Sequence, residues 1–186
     1  MLRPPVAGHF HDSQGNAIVI LFHSLTNRNR KVYVMRVLVT GGCGFIGVNL
    51  VNRLMQTNAQ IFVVDNQSAG KLQDLQDVAP AVQIVTLDSL PGEPGKAPWF
   101  IHGDIRDRCL AERITTGMDA IVHLAAHADV VYSVEQPRYD MDVNIIGTLN
   151  LLEGARANGV KRFVFASSAA TFGEQEPPLD EDKPVK

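Results

Sequence analysis

The sequence holds little that would mark a secreted or nucleic-acid-binding protein. It has two cysteines, Cys43 and Cys109, far apart and in no ligand-like pattern. That excludes a disulfide framework and fits a reducing compartment, so the chain reads as cytoplasmic. Lysine and arginine number 17 against 20 aspartates and glutamates, a net charge of −3. With no basic block, neither nucleic acid nor an anionic membrane is expected as a partner. The apolar run Ala17–Phe22 near the N-terminus is too short to span a bilayer, and no small-residue cleavage pattern follows it. A spanning segment or signal peptide is not expected there. No internal repeat is visible. Tyrosine is scarce: four residues after Tyr33, Tyr132 and Tyr139 stand Val37, Gln136 and Val143, never a lysine.

What is present suits one globular domain: 186 residues, 45% hydrophobic and 20% charged. The informative stretch is Val37-Leu38-Val39-Thr40-Gly41-Gly42-Cys43-Gly44-Phe45-Ile46-Gly47. An apolar run feeds into glycines at i, i+3 and i+6, and an apolar-periodic segment follows. That is the order strand, tight turn, helix. The first glycine permits the turn, the middle one lets a diphosphate approach the backbone, and the third lets helix and strand pack closely. Backbone N–H groups at the new helix's N-terminus suit an anion. A second apolar strand, Ile61–Val64, ends in Asp65, 18 residues after Gly47. A carboxylate there can accept from both adenosine ribose hydroxyls and repels a 2′-phosphate. Strand, glycine loop, helix, strand and acid together read as an NAD site.

Residues 1–34, with Pro4, Pro5, scattered histidines and Arg28-Asn29-Arg30-Lys31, read as an N-terminal extension, disordered or the product of a mis-chosen start. The rival reading is an extra strand at Ala17–Phe22 on the sheet edge. From Met35 the pattern is regular. Strands are expected near 36–40, 60–65, 99–104, 120–124 and 162–166. Helices are expected at 45–56 (with Ile46, Leu50, Leu54 and Val51 toward the sheet), at 70–78, at 107–116, and from Pro137 to Asn158. In the last helix Val143, Ile146, Leu149 or Asn150, and Leu152–Gly154 recur at roughly helical spacing, a core or dimer face. Residues 82–87 read as a further strand, followed by a loop marked by Pro91, Gly92, Pro94, Gly95 and Pro98; 80–98 as a whole reads as a rim insertion, possibly a hairpin. The fold class is α/β: a doubly wound parallel sheet, the NAD-binding Rossmann fold, C-terminally incomplete. Read without further help, Asp104 could cap the helix at 107–116. His123 and His127 fit strand-end packing better than a metal site, and no metal is expected.

Thr40–Gly47, Asp65-Asn66, Gly103-Asp104-Ile105, His123-Leu124-Ala125-Ala126, Asn144 and Ser167-Ser168-Ala169-Ala170 together resemble the extended short-chain dehydrogenase/reductases, in the NAD-dependent epimerase/dehydratase family. The resemblance runs from Met35 to Lys186 and is strongest toward sugar-nucleotide epimerases of the UDP-glucose 4-epimerase kind. It implies that Gly41, Gly44 and Gly47 form the diphosphate turn, with the backbone of Phe45 and Ile46 at the phosphates. Asp65, with Asn66 beside it, would hold the adenosine ribose. Asp104 would accept from the adenine amino group, next to Ile105. Leu124, Ala125 and Ala126 would line the path to the nicotinamide, and Asn144 would contact the cofactor. Ser168 matches the active-site Ser/Thr. NAD as cofactor, a nucleotide-sugar substrate such as a UDP-hexose and a homodimer in the complete enzyme are implied with it.

Ala169 and Ala170 stand where the dehydratases of the family carry Asp-Glu, which favours epimerisation. Thr171 and Phe172 depart from the family's Val and Tyr, and residues 80–98 exceed its usual connection. The family's Tyr-x-x-x-Lys, in which an ammonium lowers the phenol's pKa, is missing, and Lys186 is only 18 residues past Ser168. The chain therefore reads as stopping before its catalytic base, and lacking the later strands and substrate lobe. Rivals are a dehydratase or reductase on the same scaffold, or a non-catalytic dinucleotide-binding fragment. The coding sequence read past Lys186 should supply Tyr-x-x-x-Lys within roughly ten residues on a helix, where the two side chains share a face. The 186 residues alone should show no epimerase activity. An authentic stop in every frame would remove the enzyme reading.

Overall fold

The structure, a computed structural model, describes residues 8–11, 17–20, 33–89, 97–175, 180 and 182–184. It divides into two units, residues 1–33 and 34–186. In the first, β1 (Gly8–His11) and β2 (Ala17–Ile20) form an antiparallel pair with Gly8 opposite Ile20. Ala17–Ile20, in the rival reading a strand on the edge of the main sheet, thus pairs with β1 in a two-stranded sheet instead.

The second unit alternates strands and helices: β3 (Arg36–Thr40), α1 (Phe45–Leu54), β4 (Gln60–Asp65), α2 (Leu72–Val78), β5 (Gln83–Ile84), β6 (Trp99–His102), α3 (Arg108–Ile114) and β7 (Ala120–His123). Then come α4 (Val130–Glu135), α5 (Pro137–Met141), a π-helical segment Asp142–Gly147, α6 (Thr148–Ala157) and β8 (Arg162–Phe165). The sheet order is β5-β6-β4-β3-β7-β8, and every pair in it is parallel. The chain winds outward from β3 to β4 and β6, then crosses to β7 and β8 on the other side. That reversal opens a crevice at the carboxyl ends of β3 and β7.

Alternation along the strands divides the core between the two faces of the sheet. Val37, Val39, Ile61, Val63 and Phe100 pack with Val51 and Leu54 of α1 and Leu75 of α2. Leu38, Phe62, Val64, Ile101 and Ile121 pack with Leu110, Ala111 and Ile114 of α3 and Leu151 and Ala155 of α6. Both faces are covered, the doubly wound arrangement expected from the sequence. Asp107 caps α3, accepting from the N–H groups of Cys109 and Leu110. The cap is therefore Asp107, not Asp104. Gly159, with φ +67°, follows the Asn158 C-cap of α6 and ends the helix as expected.

Two expectations are corrected and a third is narrowed. The strand expected over 82–87 is present at 83–84, but it adds to the sheet edge in parallel, Gln83 opposite Trp99, so this part of the 80–98 segment is no hairpin; residues 90–96 lie outside the described residues. In α1 the inward residues are Gly47, Val51 and Leu54, whereas Ile46 is exposed. In the long helix Ile146, Leu149 and Leu152 are exposed in the single chain, which removes the core half of the core-or-dimer expectation, and the inward face is Gly147, Leu151, Gly154 and Ala155. The reason is common to both helices: the close helix–sheet and helix–helix contacts go to small residues, because a Cβ on Gly154 would stand 2.9 Å from the Ala111 carbonyl oxygen. Leu151→Ala should therefore cost about 2–5 kcal/mol, and Leu152→Ala should stay within about 0.5 kcal/mol. Urea denaturation of both variants checks the assignment of faces.

Candidate functional site

The turn after β3 is built by backbone proximity. Gly41 has φ +71°, a conformation side chains disfavour, and a Cβ on it would lie 2.6 Å from the backbone nitrogen of Ala125. The end of β7 therefore lies directly against the turn. A Cβ on Gly47 would stand 2.3 Å from the Gly41 carbonyl oxygen. Gly44 is different: a Cβ there would meet only the Gly41 carbonyl oxygen at 3.3 Å, so its outer side is open. No side chain caps α1 and its first turn holds no acid, which leaves its first N–H groups for an anion.

Asp65 is buried, and its carboxylate binds the turn from outside. One oxygen accepts from the Cys43 N–H at 2.9 Å, the other from the Gln67 N–H at 2.7 Å. A carboxylate has about four acceptor directions, so each oxygen keeps capacity for a further donor. The Cys43 thiol is pushed up to about 12 by burial, then by the carboxylates of Asp65 and Asp74, and stays protonated.

Asp104 accepts four hydrogen bonds. Arg106 donates to one oxygen from its backbone N–H and Nε, and Arg106 Nη2 and Asn66 Nδ2 donate to the other. The Arg106 side-chain bonds foremost hold this carboxyl down at about 2. The Arg106 guanidinium in turn lies 5.0 Å from the ring centroid of Tyr139. Asn66 also accepts from the Ser68 N–H.

Across the crevice, His123 is buried between two hydroxyls, Thr40 Oγ1 at 2.7 Å and Thr148 Oγ1 at 2.9 Å. Burial lowers its pKa to about 4, so it is neutral. Asn144, in the π segment, bonds the backbone of His127 twice, accepting from its N–H at 2.8 Å and donating to its carbonyl at 2.9 Å. His127 packs edge-on with Tyr139 at 5.2 Å and against Tyr132 at 5.1 Å.

These segments enclose a cavity of about 530 Å³. Gly41, Gly44, Asp65 and Asn66 line one side, Asp104 and Ile105 another, and Leu124, Ala125 and Ala126 a third. Phe45, Ile46 and Gly47 follow at the helix start beside it. Five expected residues lie off its lining: Phe45, Ile46 and Gly47 at the helix start, Asn144, which is spent on the His127 backbone, and exposed Ser168, which caps the short 3₁₀ turn Ala169–Phe172, accepting from the Ala170 N–H at 3.2 Å. Sequence reading missed Gly70, where a Cβ would stand 2.0 Å from the Cys43 carbonyl oxygen. It also missed His127, Tyr132 and Tyr139 in the lining. Gly70 follows Ser68-Ala69 in a small-residue run after Asp65, the one available signal. Among the described residues no group of three or more metal-ligating side chains occurs.

The model of the NAD dependent epimerase/dehydratase family matches residues 37–186. The chain belongs to that family. A UDP-glucose 4-epimerase of Halalkalibacterium halodurans is 37% identical over 154 residues, 81% of this chain and 40% of that protein. The crystal structure of a UDP-glucose-4-epimerase from Stenotrophomonas maltophila with bound NAD and formylated UDP-arabinopyranose matches with TM-score 0.68 and 31% identity, over 82% of this chain and 43% of that one. The UDP-glucose 4-epimerase of Thermotoga maritima with UDP-glucose matches with TM-score 0.63 and 35% identity, over 78% and 42%. The chain thus spans less than half the length of these relatives. In this epimerase/dehydratase family member, no helix of the described residues is long and apolar enough to cross a membrane.

The neutral His123 has a measurable consequence. Its folded-state pKa lies below the unfolded value of 6.5. The unfolded chain therefore binds the extra proton first, and stability is lost as pH falls from about 6.5 through about 4. The full effect is roughly 3 kcal/mol. Urea midpoints measured from pH 7 to pH 4 should fall more steeply for the parent than for His123→Gln, which has no titrating ring.

Proposed function

We propose that this chain is the NAD-binding part of a sugar-nucleotide epimerase that inverts C4 of a UDP-hexose through a transient 4-keto sugar. The observation that carries the reading is the cavity at the sheet's reversal point, with an open Gly44 flank and uncapped helix on one side and Asp65 on the other. The relatives' bound NAD and UDP-sugars support it.

The residues fit the dinucleotide. The N–H groups of Phe45, Ile46 and Gly47 would face the diphosphate, with Gly44 giving it room. The spare acceptor directions of Asp65 would take the two adenosine ribose hydroxyls. Asn66, Asp104 and Ile105 would form the adenine end, where an adenine amino group at Asp104 has to replace one of the four donors already there. Leu124–Ala126 would wall the nicotinamide, with Asn144 holding that wall from behind through His127. NAD supplies a reversible hydride acceptor when bound and is not consumed over the cycle. Ser168 would hold the reacting sugar oxygen; its phenolate partner would come from a Tyr-x-x-x-Lys, a pattern that Tyr33, Tyr132 and Tyr139 do not form. Homodimerisation and a cytoplasmic location belong to the same reading.

Calorimetric titration tests it. NAD should bind at least roughly tenfold more tightly than NADP, since a 2′-phosphate would meet the Asp65 carboxylate at contact distance. NADP binding equal to or tighter than NAD would overturn the role of Asp65. A protein carrying this chain together with Tyr-x-x-x-Lys should interconvert UDP-hexoses without net NADH. Loss of water instead would identify a dehydratase, and net consumption of NADH a reductase.

A further inference from the structure

Behind the cavity surface, one run of hydrogen bonds joins three of its walls. Thr148 Oγ1 donates its only proton to the Asn144 carbonyl at 2.7 Å. Toward His123 it can therefore only accept, and His123 Nε2 carries the proton of the 2.9 Å bond. In a neutral ring Nδ1 is then an acceptor, and the Thr40 hydroxyl donates to it at 2.7 Å. The Thr40 oxygen receives the Ala125 N–H at 3.4 Å. The tautomer is thus assigned from the network. The run passes from Ala125 through Thr40, His123 and Thr148 to Asn144, whose amide clamps the His127 backbone at both its N–H and its carbonyl.

We propose that His123 is a positioning residue of the cofactor site, its single Nε2–H tautomer locking the end of β3, the loop 124–128 and the π segment into one wall. The proposal rests on the reading of the cavity as the NAD site. A neutral imidazole is suited to the task. It presents an acceptor and a donor on opposite edges of a rigid ring, and its faces pack among apolar neighbours, here Phe163 and Phe165 with centroids 5.9 and 5.7 Å away. The wall it holds is where a Gly41 side chain would collide with Ala125, so small shifts of that loop are transmitted directly to the glycine turn. His123 itself does not line the cavity and touches no reacting atom.

The test uses the complete chain and NAD as probe, with hydrogen exchange of the ligand-free protein as a second readout. Thr148→Val removes the hydroxyl at nearly constant shape, and Thr148→Ser retains it. Thr148→Val and His123→Phe should each weaken NAD binding roughly tenfold and speed amide exchange of residues 125–128, while Thr148→Ser behaves as the parent. The double variant should match the singles, because both cut one chain. If His123→Phe does not fold, the Thr148 pair decides. A folded Thr148→Val protein with parental NAD affinity and parental exchange in the loop, whatever its Tm, overturns the proposal. A parent that binds no NAD defeats the cofactor reading instead, and the exchange data then decide the positioning role alone.

Discussion

The site depends on backbone lying against backbone. Where β3 ends, the turn is flanked by the start of loop 124–128, by its own following helix, and by the Gly70 segment, each close enough to exclude a single methyl group. Such contacts leave no room for side-chain adjustment, so the positions of three separate stretches of chain are mutually determined. The Asp65 bond to the Cys43 N–H then fixes the turn from the β4 side. Buried polar groups elsewhere in the unit serve the same geometry: Thr40 and His123 are satisfied by one another and by their neighbours, which removes the penalty of burying them.

Most of the sheet was legible because its central strands are continuous apolar runs bounded by Gly, Asp or His, and a strand buried on both faces reads that way. β3, β4, β7 and β8 fall within a residue or so of expectation. β5 is shorter than the expected strand over 82–87, keeping only the two residues that reach β6. In α1 Val51 and Leu54 face inward as expected, but Ile46 was misjudged for a more general reason. Periodicity weighs large apolar side chains, yet Gly47, Gly147 and Gly154 make close approaches that leave no room for a Cβ.

The site was legible in its chemistry and less so in its connections. Asp65 and Asp104 were recognisable as acids at strand ends, and both line the cavity. That Asp65 would hold the turn, and that Arg106 and Asn66 would fill the lone pairs of Asp104, depends on where distant segments come to rest. Asn144 shows the same difference. Its position on the long helix was readable, but its partner is the backbone of a residue 17 positions away, which no local pattern encodes.

The π segment sets a phase. From Pro137 to Ala157 the helix runs without a break, but six of its residues are wound more widely than their neighbours. The two ends of the helix therefore answer to different surfaces: Asp140 and Asn144 meet the His127 loop, and Leu151 and Ala155 meet α3 and the sheet. One residue of an α-helix is worth about 100° of rotation. Removing a single residue between Asp142 and Gly147 would turn one end away from its surface while the other kept its own. Within this stretch the number of residues is thus as constrained as the identities of Asn144 and Gly147, and length variation should be tolerated in the connections on either side of the helix before it is tolerated here.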